Sequence, residues 1–247
     1  MINCKLMTYN MKAIIKPILK EPFVELRLGL GNKKQEILYS QTFRQSEKYK
    51  FFQRAFDFIY SNKISGDYFE FGSHRARTFR FALRESIVRN IKMNFFSFDS
   101  FQGLPDHKNN KLQNEWHMPG LLSTSEKEFK RLVLPFSKYR KIKCIKGFYK
   151  DSLNNVLYKN FKKNKVIASF INIDCDLENS VRDSLDFSLK FIRNGTILYI
   201  DDYYNTYYGD PRRGIPKITK SLLKKHKIKY EDWYQSSSCG RSFLLYK

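Results

Sequence analysis

The sequence has few cysteines, and no two of them are close together. They stand at positions 4, 144, 175 and 239, so the CxxC pairs of metal-binding and redox motifs are absent. No disulfide framework is indicated, which is typical of a reducing compartment. Cys144 and Cys175 lie inside apolar runs, and we interpret them as buried thiols. The cysteine pattern therefore favours a cytoplasmic protein.

Long apolar runs are also lacking. No stretch reaches the roughly 18 apolar residues that indicate a membrane-spanning helix. The first twenty residues interrupt each apolar run with lysine and offer no small-residue cleavage site. We therefore expect neither a transmembrane segment nor a secretory signal.

Acidic residues are scarce beside basic ones. The 46 lysines and arginines outnumber the 24 acids and give a formal net charge of +22. Such an excess attracts nucleic acid, anionic lipid or an acidic polysaccharide. The basic residues are scattered, with denser runs at 138–150 and 220–229, and no arginine-rich arm or zinc-finger spacing accompanies them. We favour a solvated lysine-rich surface and leave nucleic acid, an anionic surface and a homo-oligomer open as partners.

Strand-like and helix-like segments alternate along most of the chain. Apolar runs predict strands at 67–72, 94–99, 141–147, 166–174 and 196–201. One-sided apolar patterns predict helices at 49–62, 76–91, 123–133, 179–195 and 216–226. The alternation predicts an α/β domain over 49–247, with a parallel sheet and helices on both faces. Two last strand-like pieces, 227–234 and 242–247, are expected to pair as a hairpin at the sheet edge.

Other segments are predicted from weaker signals. Residues 1–48 read as an irregular N-terminal extension or lid, and the long loop at 103–122 is expected to cover the site. Four residues are expected to mark helix ends, each for its capping or turn chemistry. They are Ser125, Asn179 and Pro216 at helix starts, and Gly195 at a helix stop.

Acidic side chains are concentrated at the predicted ends of the strands, although the chain as a whole is basic. In a parallel sheet, ligands bind outside the carboxyl ends of the strands. The residues found there are Glu70, Gly72, Asp99, Asp174, Asp176, Asp201 and Asp202. We therefore expect one acidic site at this edge of the sheet.

Two groups of these acids suggest particular ligands. Asp174, Asp201 and Asp202 suit a hard cation such as Mg²⁺, which prefers a few carboxylates together with water and substrate oxygens. Asp99 suits the two hydroxyls of a ribose. Each acid also has a plainer interpretation, since aspartate at such a position caps a helix or a loop.

The turn after the first strand, "FEFGSHRART" (69–78), places an acid and a glycine where a small ligand can approach the backbone. The later glycines of a dinucleotide-binding fingerprint are missing, and Ala76 and Arg77 stand in their place. An ordinary strand-to-helix turn is an equally good interpretation of this segment alone.

Several motifs together resemble a known family. "FEFGSHRART", "FDSFQGLPD", "WHMPGLLSTSEKEF", "IKGFYKDSL", "INIDCDLENSVRDSL" and "GTILYIDDYY" occur in the order seen in the macrocin O-methyltransferase family. The resemblance covers about residues 50–245, and the family is similar to other class I S-adenosylmethionine-dependent methyltransferases. The family pattern usually has Gly-Gly where Ala76 and Arg77 stand here.

The resemblance implies a Rossmann-like, doubly wound, seven-stranded sheet that is mostly parallel with an antiparallel last strand, preceded by an N-terminal helical extension. It implies an O-methyltransferase that uses S-adenosylmethionine and Mg²⁺ to methylate a sugar hydroxyl of a small molecule or glycan. By their place in the motifs, the metal ligands are Asp174, Asp201 and Asp202, and Asp174 is also the catalytic base. The implied cofactor-binding residues are Glu70, Gly72, Ser73, Asp99, Ser100 and Asp176.

Three functional hypotheses follow. The first is a magnesium-dependent sugar O-methyltransferase, in which the acids hold a metal that holds the acceptor. The second is a nucleic-acid methyltransferase, suggested by the net charge of +22. The third is a non-catalytic methyltransferase-like protein kept for binding a polyanion or a membrane surface.

Overall fold

A computed structural model describes residues 33–106, 118–205, 207–237 and 239–247, with side chains from residue 42 onward. Residues 47–247 form one compact unit, and the described residues 33–46 belong to a second one. The centre of the loop predicted at 103–122 and the first part of the predicted extension lie outside the described residues. None of the helices in the described ranges has the length and apolar character needed to cross a membrane.

A seven-stranded sheet forms the centre of the compact unit, in the order β3-β2-β1-β4-β5-β7-β6. The first five strands of that order are parallel, and β7 runs antiparallel to both of its neighbours. The strands are β1 (Asp67–Phe71), β2 (Phe95–Asp99), β3 (Ile142–Lys146), β4 (Ala168–Ile173), β5 (Ile192–Ile200), β6 (Lys229–Asp232) and β7 (Arg241–Tyr246). This arrangement confirms the predicted sheet, including the antiparallel hairpin at its edge.

Seven α-helices lie within the described ranges. They are α1 (Lys33–Ser61), α2 (Arg77–Val88), α3 (Glu126–Ser137), α4 (Tyr149–Ser152), α5 (Asn155–Lys163), α6 (Glu178–Ser188) and α7 (Gly214–Lys225). The pattern-based start of α1 at residue 49 was wrong, whereas the N-terminal helical extension that the family resemblance implied is confirmed from residue 33 onward. The pattern-based prediction also lacked α4 and α5, which are short and of whose residues only Phe161 is buried.

Ser125 caps a helix as expected, and Pro216 lies close to the helix start that was expected of it. The Ser125 hydroxyl accepts a hydrogen bond from the Glu128 amide at 3.2 Å and caps α3. Pro216 lies in the first turn of α7, two residues after the helix begins at Gly214. There its missing amide hydrogen costs nothing, because amides of the first turn lack carbonyl partners within the helix.

The two expected ends of α6 were wrong. The helix begins at Glu178 with Leu177 at the capping position, so Asn179 is already helical. It ends at Ser188 and passes through one 3₁₀ turn into β5, and Gly195 lies inside that strand with φ of +85°. Gly195 therefore permits a strand irregularity rather than a helix stop.

Aromatic side chains fill the core on both faces of the sheet. On one face, Phe69 and Phe98 pack together with residues of α5, α6 and α7. On the other face, Tyr68 and Phe170 pack with α2, α3 and the part of α1 from Phe51 onward. Because β1 and β4 are covered on both faces, they carry near-continuous apolar runs, which explains why they were recognisable in the sequence.

The carboxyl ends of β1 and β4 meet in a very close backbone contact. Gly72 follows β1 with φ of +85°, and the Asp174 amide donates to the Phe71 carbonyl at 2.8 Å. A Cβ on Gly72 would lie only 1.9 Å from the Asp174 carbonyl oxygen. Position 72 therefore requires glycine both for its backbone conformation and for space.

We expect Gly72→Ala to destabilise the protein by about 3–5 kcal/mol or to prevent folding, because the clash adds to backbone strain. The matched control is Gly209→Ala, which has φ of +75° but nothing within 4 Å of its Cβ position. That control should cost about 1 kcal/mol. Urea denaturation followed by circular dichroism measures both variants, and equal losses would contradict the close contact.

Candidate active site

Three aspartates converge at the carboxyl edge of the sheet. Asp174 follows β4, and Asp201 and Asp202 follow the neighbouring strand β5. The Asp201 amide donates to the Ile173 carbonyl at 3.0 Å, which continues the pairing of the two strands past their ends. One carboxylate oxygen from each of the three acids lies within 4.8 Å of the others. The convergence expected from the strand-end positions is therefore present, and each of the three side chains is partly exposed.

A lysine that the sequence analysis did not single out lies among these acids. Lys48, on α1, places its Nζ 2.6 Å from Asp201 Oδ2 and 3.5 Å from Asp174 Oδ2, with 14% of its side chain exposed. Burial alone would lower the pKa of Lys48, but the charges of Asp174 and Asp201 raise it well above its usual range. Lys48 is therefore a charged ammonium held inside an acidic cluster.

Asp201 is fixed on its other side by a short chain of hydroxyl groups. Tyr199 donates its phenolic hydrogen to Asp201 Oδ1 at 2.6 Å, and Ser236 donates to the Tyr199 oxygen at 2.8 Å. Both oxygens of Asp201 thus have a donor. This leaves Asp201 the most rigidly oriented acid of the three, because each oxygen is held in place.

Asp176 and Asp202 form a second carboxyl pair at the same edge. Asp176 has φ of +56°, and its side chain is hydrogen-bonded to Asp202. Desolvation, partly offset by the contact with Asp202, raises the pKa of Asp176 to about 6. Desolvation and the charge of Asp176 raise the pKa of Asp202 well above its usual range. Two carboxylates this close repel each other, so ionising both of them is unfavourable.

The pKa of Asp174 is also raised, which is the direction that a proton acceptor needs. Desolvation raises its pKa well above the usual range, Lys48 opposes that shift, and Asp201 and Asp202 add to it. A quarter of its side-chain surface stays exposed, so a ligand can reach it. The side chain combines access with a raised affinity for a proton.

Glu70 is completely buried beneath the turn that follows β1. Tyr68 donates a hydrogen bond to its Oε2, and Asn172 Nδ2 donates to the same oxygen at 3.0 Å. Burial raises the pKa of Glu70 to about 7, although these bonds partly offset the shift. Glu70 therefore lies beneath the turn, where hydrogen bonds from Thr78 and Ser73 also lower its pKa.

The residues expected to bind a cofactor mostly organise the loops of this edge. Asp99 accepts from the Ser73 amide at 2.7 Å with one oxygen and from the Phe101 amide at 2.6 Å with the other. The Ser100 hydroxyl donates to the Gly103 carbonyl at 2.7 Å. The alternative interpretation of Asp99 as a loop cap is thus present in the structure, and its remaining lone pairs stay free to accept hydroxyl groups.

The turn that departs from the family pattern adopts a glycine-like conformation. Arg75 and Ala76 both have positive φ, 55° and 49°, and Ala76 is fully buried. The Thr124 hydroxyl accepts from the Arg75 amide at 2.9 Å and so stabilises the turn. The left-handed positions are 75 and 76, while Arg77 is already in the right-handed helical region with φ of −67°.

Lys48 could have been found from the sequence. Together with Phe52, Ala55 and Ile59 it lies on one face of the helix, and the other three side chains are fully or nearly fully buried. A lysine on an apolar helical face is rarely buried without an anionic partner. The signal was missed because the helix had been predicted to begin at residue 49.

Comparisons with known proteins agree with this fold. The sheet resembles that of the O-methyltransferase NovP, with 20% identity, a TM-score of 0.62, and coverage of 81% of this chain and 80% of that chain. It resembles CalS11, a calicheamicin methyltransferase, with 11% identity, a TM-score of 0.62, and coverage of 90% of each chain. No curated protein matches the sequence significantly.

These likenesses define the fold as that of the O-methyltransferases. The sequence profile of macrocin-O-methyltransferase (TylF) matches residues 30–224. The chain therefore belongs to the macrocin O-methyltransferase family, as its motifs had indicated, and is an O-methyltransferase.

We expect Glu70→Gln to flatten the dependence of stability on pH. The folded pKa of about 7 lies above the ordinary value of 4.5, so the wild type loses stability as the pH rises through this window. The loss specific to Glu70 is roughly 3 kcal/mol, and glutamine should abolish it. Urea denaturation at pH 5 and pH 8 measures the difference. Glu231→Gln, at an exposed carboxyl, is the control, and parallel pH profiles for wild type and Glu70→Gln would contradict the assignment.

Proposed function

We propose that this O-methyltransferase uses S-adenosylmethionine and Mg²⁺ to methylate a sugar hydroxyl of a glycoside, glycan or natural product. The observation that carries the proposal is the convergence of Asp174, Asp201 and Asp202 within 4.8 Å at the carboxyl edge of the sheet. A structural neighbour at 11% identity is described as a TDP-rhamnose 3'-O-methyltransferase, which supports a sugar as acceptor class.

The methyl donor is assigned to the turns that follow β1 and β2. Gly72 lets the chain turn sharply after β1, and Asp99 has acceptor capacity for ribose hydroxyls beside its two amide bonds. Ser73, Ser100, Glu70 and Asp176 belong to the same edge and complete the proposed cofactor-binding set. The acids there suit the positive sulfonium of S-adenosylmethionine.

The three converging carboxylates fit a hard divalent cation. Mg²⁺ takes a small number of carboxylate oxygens and completes its shell with water and substrate oxygens, and the partly exposed edge leaves room for both. Asp174, Asp201 and Asp202 would hold the ion. When bound, Mg²⁺ would act as a Lewis acid toward the acceptor hydroxyl and orient it.

The chemistry that remains for the protein is positioning and proton transfer. The bound methyl donor would supply its methyl group to the acceptor oxygen and would leave as the neutral thioether. Holding the two reactants together provides most of the acceleration in such a displacement. Asp174 takes the hydroxyl proton, for which its raised pKa suits it.

A nucleic-acid acceptor is the second candidate, favoured by the net charge of +22. The proposed reaction edge, however, is the acidic part of this protein, with five carboxylates at Asp99, Asp174, Asp176, Asp201 and Asp202. A polyphosphate backbone would meet like charge there. We therefore rank a sugar hydroxyl first.

We expect Asp174→Asn to reduce methyl transfer by about 10²–10⁴-fold, the usual contribution of a general base, with added loss of metal affinity. Affinity for S-adenosylmethionine should change little. Activity is measured on a panel of glycosides with and without chelator, and cofactor affinity by calorimetry. The control is Asp151→Asn, which changes an exposed acid on α4. Full activity of Asp174→Asn, or of the wild type in excess chelator, would remove the metal from the proposal.

We expect Lys48→Met to bind Mg²⁺ or Mn²⁺ about tenfold more tightly, or better, than the wild type. The ammonium lies 2.6 Å from a proposed ligand oxygen, and two cations a few ångströms apart repel by several kcal/mol at an effective dielectric constant of about 20. Mn²⁺ titration followed by electron paramagnetic resonance measures the affinity. Lys50→Met is the control, because Lys50 is 56% exposed on the same helix. Weaker binding in Lys48→Met would show instead that the lysine orients the ligands.

A further inference from the structure

A second concave site lies at the opposite edge of the sheet from the acids. It is a cleft of about 650 Å³ formed by the segments that lead into the parallel strands, from Ser65, Lys92, Arg140, Asn164 and their neighbours. These segments precede β1, β2, β3 and β4, whereas the three converging aspartates come after the ends of β4 and β5. A strand of six residues separates the two edges by about 20 Å, so the cleft is independent of the reaction site.

The cleft is strongly cationic. Its lining includes the six basic residues Lys92, Arg140, Lys141, Lys143, Lys165 and Arg193. In the described part of the chain its only acid is Asp67, whose Oδ1 already accepts from the Asn94 amide and side chain at 2.9 and 2.8 Å. The dense lysine and arginine run noticed at 138–150 in the sequence contributes three of the six cations. An acidic ligand would relieve the repulsion among them.

Two of the cations are held in place by backbone bonds. Arg140 donates from Nη2 to the Ser86 carbonyl at 2.7 Å and from Nε to the Ser86 hydroxyl at 3.0 Å. Arg193 donates from Nη1 to the Ser65 carbonyl at 3.0 Å and also to the Ser65 hydroxyl. Both guanidinium groups are therefore positioned before a ligand arrives, which reduces the entropy cost of binding.

Helix dipoles account for only part of this charge. The carboxyl ends of α2, α3 and α5 precede the segments that line the cleft, and cations near such ends are favourable. Lys143 and Arg193 lie within β3 and β5 instead, so a helix end does not explain them. Among the described residues none of the six cations lies within 4.0 Å of a carboxylate oxygen, although the charge of Lys143 lowers the pKa of Asp67.

We propose that this cleft binds a compact ligand bearing phosphate groups. The cations surround a concavity rather than following an extended track, which suits a small phosphorylated molecule better than a nucleic-acid strand. The exposed ring of Tyr139 at the lining offers an apolar face for the rest of the ligand. The proposed site is separate from the methyl-transfer site, and it gives a role to six of the chain's basic residues.

The test is calorimetric titration of the full chain with inorganic pyrophosphate in metal-free buffer at low ionic strength. The double variant Lys92→Glu with Lys165→Glu should weaken binding by about tenfold or more, because two charges facing the anion are reversed. The control is Lys217→Glu with Lys220→Glu, two exposed residues on α7 with the same change of net charge. It should stay within about twofold of the wild type.

A parallel titration with a single-stranded oligoribonucleotide separates the ligand classes. Strong binding of the oligonucleotide without binding of pyrophosphate would overturn the proposal, as would equal weakening in both double variants. If the first variant fails to fold, as judged by circular dichroism, Lys141→Gln with Lys143→Gln replaces it, with the same expected loss. Methyl transfer by the cleft variants should equal that of the wild type.

Discussion

The interaction on which the site depends is the neutralisation of closely spaced carboxylates at the end of the sheet. Strand pairing fixes the positions of Asp174 and Asp201, and their charges cannot move apart. Isolated ions in a partly desolvated place are costly, so such groups need a counter-charge or a proton. The protein places a lysine beside Asp201, and burial raises the pKa of Asp176 and Asp202 so that both hold a proton more readily.

The two edges of the sheet have opposite character. Where the strands end, acids gather around a glycine turn, and where they begin, lysines and arginines line a cleft. A cationic ligand group such as a sulfonium and an anionic ligand would therefore be attracted to different ends of the same domain. The large net positive charge does not contradict an acidic reaction site, because the charges are segregated along the strand direction.

Much of the sheet and the convergence of its acids could be predicted from the sequence. The strand around Phe69 and the one around Phe170 are buried on both faces, so their apolar runs were unmistakable, and parallel pairing then placed Asp174 beside Asp201. The acidic partners of Lys48 and the end of α6 could not be predicted from such local patterns. The lysine acts through a contact distant in sequence, and Gly195 has a positive φ that a strand irregularity and a helix stop share. The structure shows that Asp99 caps a loop. That it also binds a cofactor remains a prediction.

The ammonium that completes the acidic cluster is carried by α1, the helix that comes before the first strand. A fragment that begins at residue 49 would keep every strand and all three converging aspartates, yet it would leave them without their tethered partner. A chain shortened to its sheet domain would thus keep the fold elements but lack the positive charge that compensates the aspartates.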